Sequence, residues 1–270
     1  MQGLVDRGRG PVVLLVHGQP GLGSDWDLVR ERIEDDHRVL SVDRPGYGAS
    51  GQAAVSMTRN AEMLAGLLTS RRTGPATIVG HSYGGGIALL LAARHPKQVR
   101  AVVLVSSIGC SDSVTAFDKV LATPGVGDAL AAAGLFALGY LLPQLRRHAS
   151  RFPGDSARWV TTSLPDHRYA AMIGGIGGAT WRAFQVEQRA LVDEVAGLSD
   201  AVRSIAVPAA VVTGTWDVVV PPSEAARLAA GIKGAGLVLV ARTGHFVPRD
   251  APGAVAGAIR HVEAKASTVS

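Results

Sequence analysis

The sequence predicts an α/β protein with a doubly wound, mostly parallel sheet and an inserted helical cap. Three observations support this: six short apolar runs, helix-like stretches between them, and one long stretch without a strand pattern. Apolar residues make up 47% of the 270 residues and charged residues only 18%, so the chain can bury a substantial core.

The six apolar runs are short and rich in β-branched residues. They are Val12–Val16, Val39–Val42, Ala76–Val79, Val102–Val105, Ala209–Val212 and Leu237–Val240. Runs that are apolar at every position are typical of parallel strands buried on both faces, because helices cover both sides of such a sheet. We therefore expect helices to cover all six strands.

Helical spacing of apolar residues marks most segments between these strands. The predicted core helices are Trp26–Ile33, Thr58–Ser70, Tyr83–Arg94, Ser223–Ala230 and Pro252–Ala264. The alternation of strand and helix predicts a doubly wound sheet whose parallel strands end at one common edge.

Residues 111–207 break this alternation. Their helix candidates are Val114–Leu121, Asp128–Leu142, Ser156–Leu164 and Trp181–Val195, and no convincing strand lies among them. We interpret residues 1–110 and 208–270 as the core and residues 111–207 as a cap. Ligands of open α/β sheets bind beside the carboxyl ends of the strands, so an insertion at that edge is expected to cover a ligand site.

One apolar stretch, Val126–Pro143, carries a single charge and has the length of a minimal membrane span. Its three glycines favour a buried helix over a span. Residues 1–11 lack the apolar segment of a signal peptide. The single cysteine, Cys110, excludes an intrachain disulfide. These features predict a cytoplasmic protein that does not associate with membranes.

The net charge of +5 arises from scattered basic residues rather than from a basic stripe, so we expect no nucleic-acid partner. The histidines are dispersed and no Cys/His ligand spacing is present, so we expect no metal site. A small-molecule substrate is the expected partner, and the sequence leaves the oligomeric state open.

Ser82 lies in the pattern Gly80-His81-Ser82-Tyr83-Gly84, between a predicted strand and a predicted helix. Glycines on either side let the strand and the helix pass closely, which places the Ser82 hydroxyl at the tip of a sharp turn. The amino end of the helix favours negative charge at the same point. The motif in this context predicts a nucleophilic serine.

A serine nucleophile needs a base, and the base needs an orienting acid. His245 follows the last predicted strand, and Asp217 follows the strand Ala209–Val212, so both are expected at the same edge as Ser82. Asp250 is the alternative acid. His37, in a charged run, is expected at the surface.

The negative oxygen of an acyl-transfer intermediate needs hydrogen-bond donors. The backbone N–H groups of Tyr83 and Gln19 are the candidates, since Pro20 has no N–H to give. Trp216, Phe136 and Tyr140 are candidates for an apolar substrate pocket, with ordinary core packing as the competing interpretation.

Four blocks of sequence resemble the α/β-hydrolase superfamily. They are HGQPG at 17–21, DRPGYGAS at 43–50, GHSYGG at 80–85, and GTWD at 214–217 with GH at 244–245. The resemblance implies a cap over 111–200, no cofactor, and a loop-holding role for Asp43, Arg44 and Gly46. Two features depart from the family. The short segment before the first predicted strand leaves little of the usual antiparallel hairpin. Serine also replaces the aspartate nucleophile of haloalkane dehalogenases and epoxide hydrolases.

These observations predict hydrolysis of a small, apolar carboxylic ester, thioester or lactone through an acyl-Ser82 intermediate. Hydrolysis of a carbon–carbon bond and cofactor-free perhydrolysis use the same groups and remain open. A non-catalytic ligand receptor on the same fold is the alternative from a different class.

Overall fold

The six apolar runs form six of the seven strands of one sheet in the computed structural model, which describes residues 3–109, 113–149, 151, 154–163 and 179–269. The strands are β1 (Leu4–Arg7), β2 (Val12–Val16), β3 (Arg38–Val42), β4 (Ala76–His81), β5 (Val99–Val105), β6 (Ala209–Gly214) and β7 (Gly236–Val240). Their order is β1-β3-β2-β4-β5-β6-β7, and all neighbours except β1 and β3 are parallel.

The described core helices are α1 (Asp27–Arg30), α2 (Met57–Ser70), α3 (Tyr83–Arg94), α9 (Pro222–Gly231), α10 (Val247–Asp250) and α11 (Pro252–Val269). Between β5 and β6 lie α4 (Ala116–Ala122), α5 (Val126–Tyr140), α6 (Leu142–Ala149), α7 (Asp155–Ser163) and α8 (Ala179–Ser204). Short 3₁₀ turns cover Gly23–Trp26 and Pro96–Gln98. The predicted α/β architecture is confirmed.

Strand β1 was not predicted. It pairs antiparallel with β3, with Leu4 opposite Val42 and Arg7 opposite Val39. Its sequence, LVDR, alternates apolar and polar residues over only four positions, which is too short a pattern to identify a strand. The edge of the sheet therefore carries an antiparallel strand that the sequence led us to expect as mostly missing.

Alternate residues of the strands enter two apolar layers, one on each face of the sheet. Along β2, Leu14 belongs to the layer that also contains residues of α2, α3 and α9, and Leu15 belongs to the layer that contains Trp26 and residues of α11. Both leucines are fully buried. This two-sided burial explains why the central strands are mostly apolar on both faces.

The last strand differs from that expectation. In β7, Leu237, Val238 and Leu239 are 40, 38 and 53% exposed, because β7 lies at the edge of the described sheet and its face is only partly covered. The prediction that helices cover all six strands is wrong for β7.

The insertion is helical throughout its described part. Its longest helix, α8, packs against α2 and α3 of the core. On α5, Ala131 and Leu135 are buried, whereas Val126 and Leu130 are exposed. Over the residues described, no helix combines the length and the apolar character that crossing a bilayer requires.

Candidate active site

Ser82 occupies the turn between β4 and α3 with φ of 53°, an unusual value for a residue other than glycine. A side chain at Gly80 would meet Gly84 O at 2.3 Å, and one at Gly84 would meet Val16 O at 2.4 Å. Strand, helix and β2 therefore approach too closely for any residue but glycine at these two positions. This packing holds Ser82, half-buried, at the amino end of α3.

The loop after β2 passes directly over Ser82. A side chain at Gly18 would lie 3.1 Å from Ser82 Cβ and 3.0 Å from His81 Nδ1. The neighbouring Gln19-Pro20 peptide bond is cis. The backbone of Gly18 is thus adjacent to the Ser82 side chain, and the candidate oxyanion donor Gln19 follows it in the chain.

His245 and Asp217 meet in a buried hydrogen bond. His245 Nδ1 lies 2.9 Å from Asp217 Oδ2 and 3.1 Å from Oδ1. The backbone N–H groups of Val219 and Val220 also donate to Asp217 Oδ1, at 2.9 and 2.8 Å. The alternative acid, Asp250, pairs instead with Arg249 at 2.7 Å.

Opposing effects act on the Asp217 carboxyl. Burial raises its pKa, but the attraction and hydrogen bond of His245, together with the Val220 N–H, bring the pKa below its ordinary value. Asp217 is therefore ionised at neutral pH and accepts the proton of His245 Nδ1, which leaves Nε2 as the free basic nitrogen of the neutral ring.

Ser82, Asp217 and His245 follow β4, β6 and β7, whose carboxyl ends lie at one edge of the sheet. Within the described part of the chain, Ser82 Oγ makes no hydrogen bond to the His245 ring. Such hydrogen bonds are often long in unliganded enzymes and tighten when substrate binds. The arrangement brings His245 and Asp217 together and places Ser82 at the same edge of the sheet.

His81, for which the sequence suggests no role, lies beside His245. Its Nε2 donates to the His245 carbonyl oxygen at 3.0 Å, and the two ring centroids are 4.8 Å apart. Burial, together with nearby His245, lowers the pKa of His81 to about 3. The neutral His81 ring therefore holds the backbone of His245 in place. The only feature of the sequence that could have indicated this contact is the position of His81 next to Ser82.

The two candidate oxyanion donors are available. Tyr83 begins α3, where the first backbone N–H groups have no acceptor within the helix. Among the described residues, neither the Gln19 N–H nor the Tyr83 N–H donates to a backbone acceptor. The Gln19 side chain is engaged elsewhere, since its Nε2 donates to Phe184 O at 2.9 Å.

The loop after β3 is held by the residues that the family resemblance indicates. Asp43 accepts hydrogen bonds from Gly23 N and Ala49 N, each at 2.8 Å. Arg44 is fully buried, and Gly46 has φ of 89°, a conformation that favours glycine.

The three candidates for the substrate pocket lie in two places, one beside Asp217 and two on α5. Trp216 lies in the turn that carries Asp217, and its backbone N–H donates to Thr243 O at 2.9 Å. Phe136 and Tyr140 belong to α5, but their side chains lie outside the described residues, as does Cys110. Over the described chain, no group of three or more His, Cys, Asp and Glu side chains is arranged to hold a metal ion.

The fold and the residues at this edge of the sheet are those of an α/β hydrolase, and comparison with known families gives the same class of protein. Residues 13–258 match the model of the alpha/beta hydrolase family. The chain belongs to the α/β hydrolase family and is a hydrolase.

Two individual relatives match over most of this chain. The chain is 30% identical over 250 residues to a 2-hydroxymuconate semialdehyde hydrolase of Pseudomonas sp. strain CF600, covering 90% of this chain and 83% of that protein. It is 28% identical over 235 residues to a pimeloyl-[acyl-carrier protein] methyl ester esterase of Neisseria meningitidis, covering 86% of each.

Among solved structures, a thermophilic esterase from Thermogutta terrifontis superposes with a TM-score of 0.72 at 23% identity, covering 98% of this chain and 93% of that one. At this level of identity the likeness supports the fold.

Proposed function

We propose that the protein is a serine hydrolase that cleaves a small, apolar carboxylic ester, thioester or lactone through an acyl-Ser82 intermediate. The observation that carries the proposal is the strained Ser82 turn at the same sheet edge as the hydrogen-bonded pair His245 and Asp217. The relatives include a pimeloyl-[acyl-carrier protein] methyl ester esterase and a 2-hydroxymuconate semialdehyde hydrolase, which agrees with chemistry at a carbonyl carbon.

The proposed reaction has two halves. Ser82 Oγ attacks the carbonyl carbon while His245 Nε2 takes the hydroxyl proton, and the carbonyl oxygen becomes an oxyanion facing the Gln19 and Tyr83 N–H groups. The bond to the leaving group then breaks, and the leaving group takes the proton from His245. A water molecule repeats the sequence on the acyl-enzyme, which releases the acid and frees Ser82.

The helical insertion, residues 111–207 in our proposal, covers this edge and selects the substrate. Trp216, Phe136 and Tyr140 are proposed to contribute an apolar lining. Low polarity in the acyl pocket favours substrates whose acyl group is uncharged, because burying an unpaired charge there is costly.

The decisive experiment combines turnover with covalent labelling. We expect wild-type protein to hydrolyse a series of p-nitrophenyl esters with a clear optimum of acyl chain length. We expect Ser82→Ala to abolish turnover and fluorophosphonate labelling while its circular dichroism spectrum and unfolding midpoint stay close to those of the wild type. The Ser107→Ala variant is a matched control, because Ser107 is a buried serine after β5 whose hydroxyl bonds to Ile108 O.

Two results would contradict the proposal. Full activity of Ser82→Ala would exclude Ser82 as the nucleophile. Failure of the folded wild-type protein to react with fluorophosphonates would favour a ligand receptor on the same fold.

Carbon–carbon bond hydrolysis is a second candidate, favoured by the 30% identity to the 2-hydroxymuconate semialdehyde hydrolase. Assaying 2-hydroxymuconate semialdehyde beside the ester series compares the two activities directly. The function assigned to the protein is then the activity that has the higher kcat/KM and that is lost in Ser82→Ala. Perhydrolysis is tested in the same series by adding hydrogen peroxide.

A further inference from the structure

A fully buried ion pair joins the insertion to the core beside the candidate active site. Arg44, after β3, and Glu187, on α8, are both 0% exposed at their side chains. Arg44 Nη1 bonds to Glu187 Oε1, Arg44 Nη2 lies 3.2 Å from Oε2, and the Tyr47 hydroxyl donates to Oε2 at 2.8 Å. Buried ion pairs are a weak source of stability, because the cost of desolvation offsets much of the attraction.

Arg44 also holds the loop that passes over Ser82. Its Nε donates to His17 O at 3.0 Å and its Nη2 donates to Gly18 O at 2.7 Å. The Arg44 backbone N–H donates to His17 Nε2 at 3.0 Å, so the ring proton of this neutral histidine is on Nδ1. His17 Nδ1 in turn donates to Gly18 O at 2.8 Å. Gly18 O therefore accepts two hydrogen bonds.

The Gly18 carbonyl and the Gln19 N–H belong to the same peptide group. That group is planar, and in its trans form the C=O and N–H bonds point in opposite directions. Two donors on Gly18 O thus fix the direction of the Gln19 N–H, which is a candidate oxyanion donor. The Gln19 side chain is fixed from the same helix, because its Nε2 donates to Phe184 O on α8.

We propose that Glu187 is a positioning residue for the oxyanion hole, acting through Arg44 to hold the Gly18–Gln19 peptide with its N–H toward the carbonyl oxygen of the substrate. The inference rests on the acyl-serine mechanism proposed above. It couples the insertion to catalysis, because the oxyanion donor is fully held only while α8 is seated on the core.

Glu194 provides a matched control. Glu194 lies on the same helix and also bridges to the core, because it accepts a hydrogen bond from Thr58 N at 3.1 Å. Thr58 is the second residue of α2 and does not hold the loop over Ser82. Glu187→Ala and Glu194→Ala each remove one carboxylate that ties α8 to the core. Only the first removes a partner of Arg44.

The experiment measures kcat, KM and the affinity of a trifluoromethyl ketone, which forms a tetrahedral adduct with the serine. Loss of a whole oxyanion donor costs about a hundred- to a thousandfold in kcat, so a misdirected donor is expected to cost about ten- to a hundredfold. We expect Glu187→Ala to lower kcat and ketone affinity in parallel by this factor, with KM changed less than about threefold. Glu187→Gln should retain more activity, because its amide oxygen still accepts from Arg44.

A double variant keeps the test valid if Glu187→Ala, which leaves the Arg44 charge unpaired, does not fold. Arg44→Leu combined with Glu187→Leu removes both buried charges and also one of the two donors to Gly18 O, leaving only His17 Nδ1. We expect the double variant to be folded and still low in kcat. Wild-type kcat and ketone affinity in the double variant, or an equal loss in Glu194→Ala, would overturn the inference. Absence of Ser82-dependent turnover in the wild type would instead overturn the proposed function on which it rests.

Discussion

Asp217 carries its charge in a buried position because three donors hold it there. The N–H groups of Val219 and Val220 and the imidazole of His245 surround the carboxylate. Two backbone donors on one oxygen fix the orientation of the carboxylate, and the carboxylate in turn fixes the tautomer of His245. The function of Asp217 in the proposed mechanism is therefore to keep the proton off Nε2.

Replacing Asp217 tests this function. In Asp217→Asn, the amide can donate to His245 Nδ1, which moves the ring proton to Nε2 and removes the base. We expect kcat to fall by about a thousand- to ten-thousandfold with the fold retained. Steady-state kinetics on the best ester measures this change. Asp250→Asn, a variant of the aspartate that pairs with Arg249, is the control and should keep wild-type kcat; the reverse ranking would assign the acid to Asp250.

Some site residues could be predicted because the neighbouring sequence indicates them, and others could not because their contacts come from distant parts of the chain. Ser82 has a motif around it, and Asp217 and His245 each follow a predicted strand, so chain order alone suggested their roles. Glu187 has no such signal, because a glutamate on a polar helix usually faces solvent and its partner is 143 residues away. His37, expected at the surface, is 4% exposed for the same kind of reason: its partner Glu263 lies 226 residues further on.

At the scale of elements, the close crossing of α3 and β2 supports the Ser82 turn. A methyl group at Gly84 would lie 2.4 Å from the carbonyl oxygens of Val16 and His17, which are backbone atoms and cannot move aside as a flexible side chain can. The helix would have to shift away from β2. Such a shift would also separate Ser82 from the loop above it.

We therefore expect Gly84→Ala to lower the free energy of unfolding by about 1 to 3 kcal/mol, as overpacking does elsewhere. Gly66→Ala is the matched control. Gly66 lies inside α2 with nothing within 4 Å of an added Cβ, so alanine should stabilise the protein by about 0.5 to 1 kcal/mol. Urea unfolding measures both changes, and a destabilised Gly66→Ala or an unaffected Gly84→Ala would contradict this account of the crossing.

The strands show where pattern reasoning succeeds at this scale and where it stops. Strands β2 to β6 are mostly apolar because they are central, and their burial agrees with the prediction. The run LVLV of β7 has the same pattern but lies at the edge of the sheet. Strand order depends on contacts between distant segments, and nothing within a single run encodes it. An exposed apolar edge strand is also a site where association between chains can begin.

At the scale of the whole molecule, a buried polar cluster links three parts of the chain that are distant in sequence: the segment before β3, strand β4 and helix α11. His37 Nε2 lies 2.5 Å from Glu263 Oε2 on α11, and Thr77 on β4 donates to Glu263 Oε1 at 2.7 Å. His37 Nδ1 lies 2.7 Å from Asp36 Oδ1, and Asp36 also contacts Arg260. The hydrogen bond to Glu263 is the main cause that raises the pKa of His37 to about 8.

This cluster predicts a pH dependence of stability. The folded pKa of about 8 exceeds the ordinary value of 6.5, so protonation of His37 favours the folded state. Its contribution, about 1 to 2 kcal/mol, should be complete below pH 6.5 and lost as the pH rises through 8. Urea unfolding between pH 6 and 9 should show this decline in the wild type and a smaller decline in His37→Gln.

His95→Gln is the control for that measurement, since His95 contacts Glu62 in a partly exposed pair of the kind that contributes little. Its unfolding free energy should follow the wild-type pH profile. Equal slopes in the wild type and His37→Gln would show that the buried pair does not titrate in this range.

The insertion separates the proposed catalytic groups along the chain. Ser82 precedes it, Asp217 and His245 follow it, and the hydrogen bonds that join the two parts of the sheet are those between β5 and β6. A break of the chain inside the insertion would leave a fragment with a nucleophile and no base, and another with a base and no nucleophile. By this mechanism neither fragment could turn over substrate alone. Activity that returns when the two fragments are mixed would therefore directly measure their reassembly through the pairing of β5 with β6.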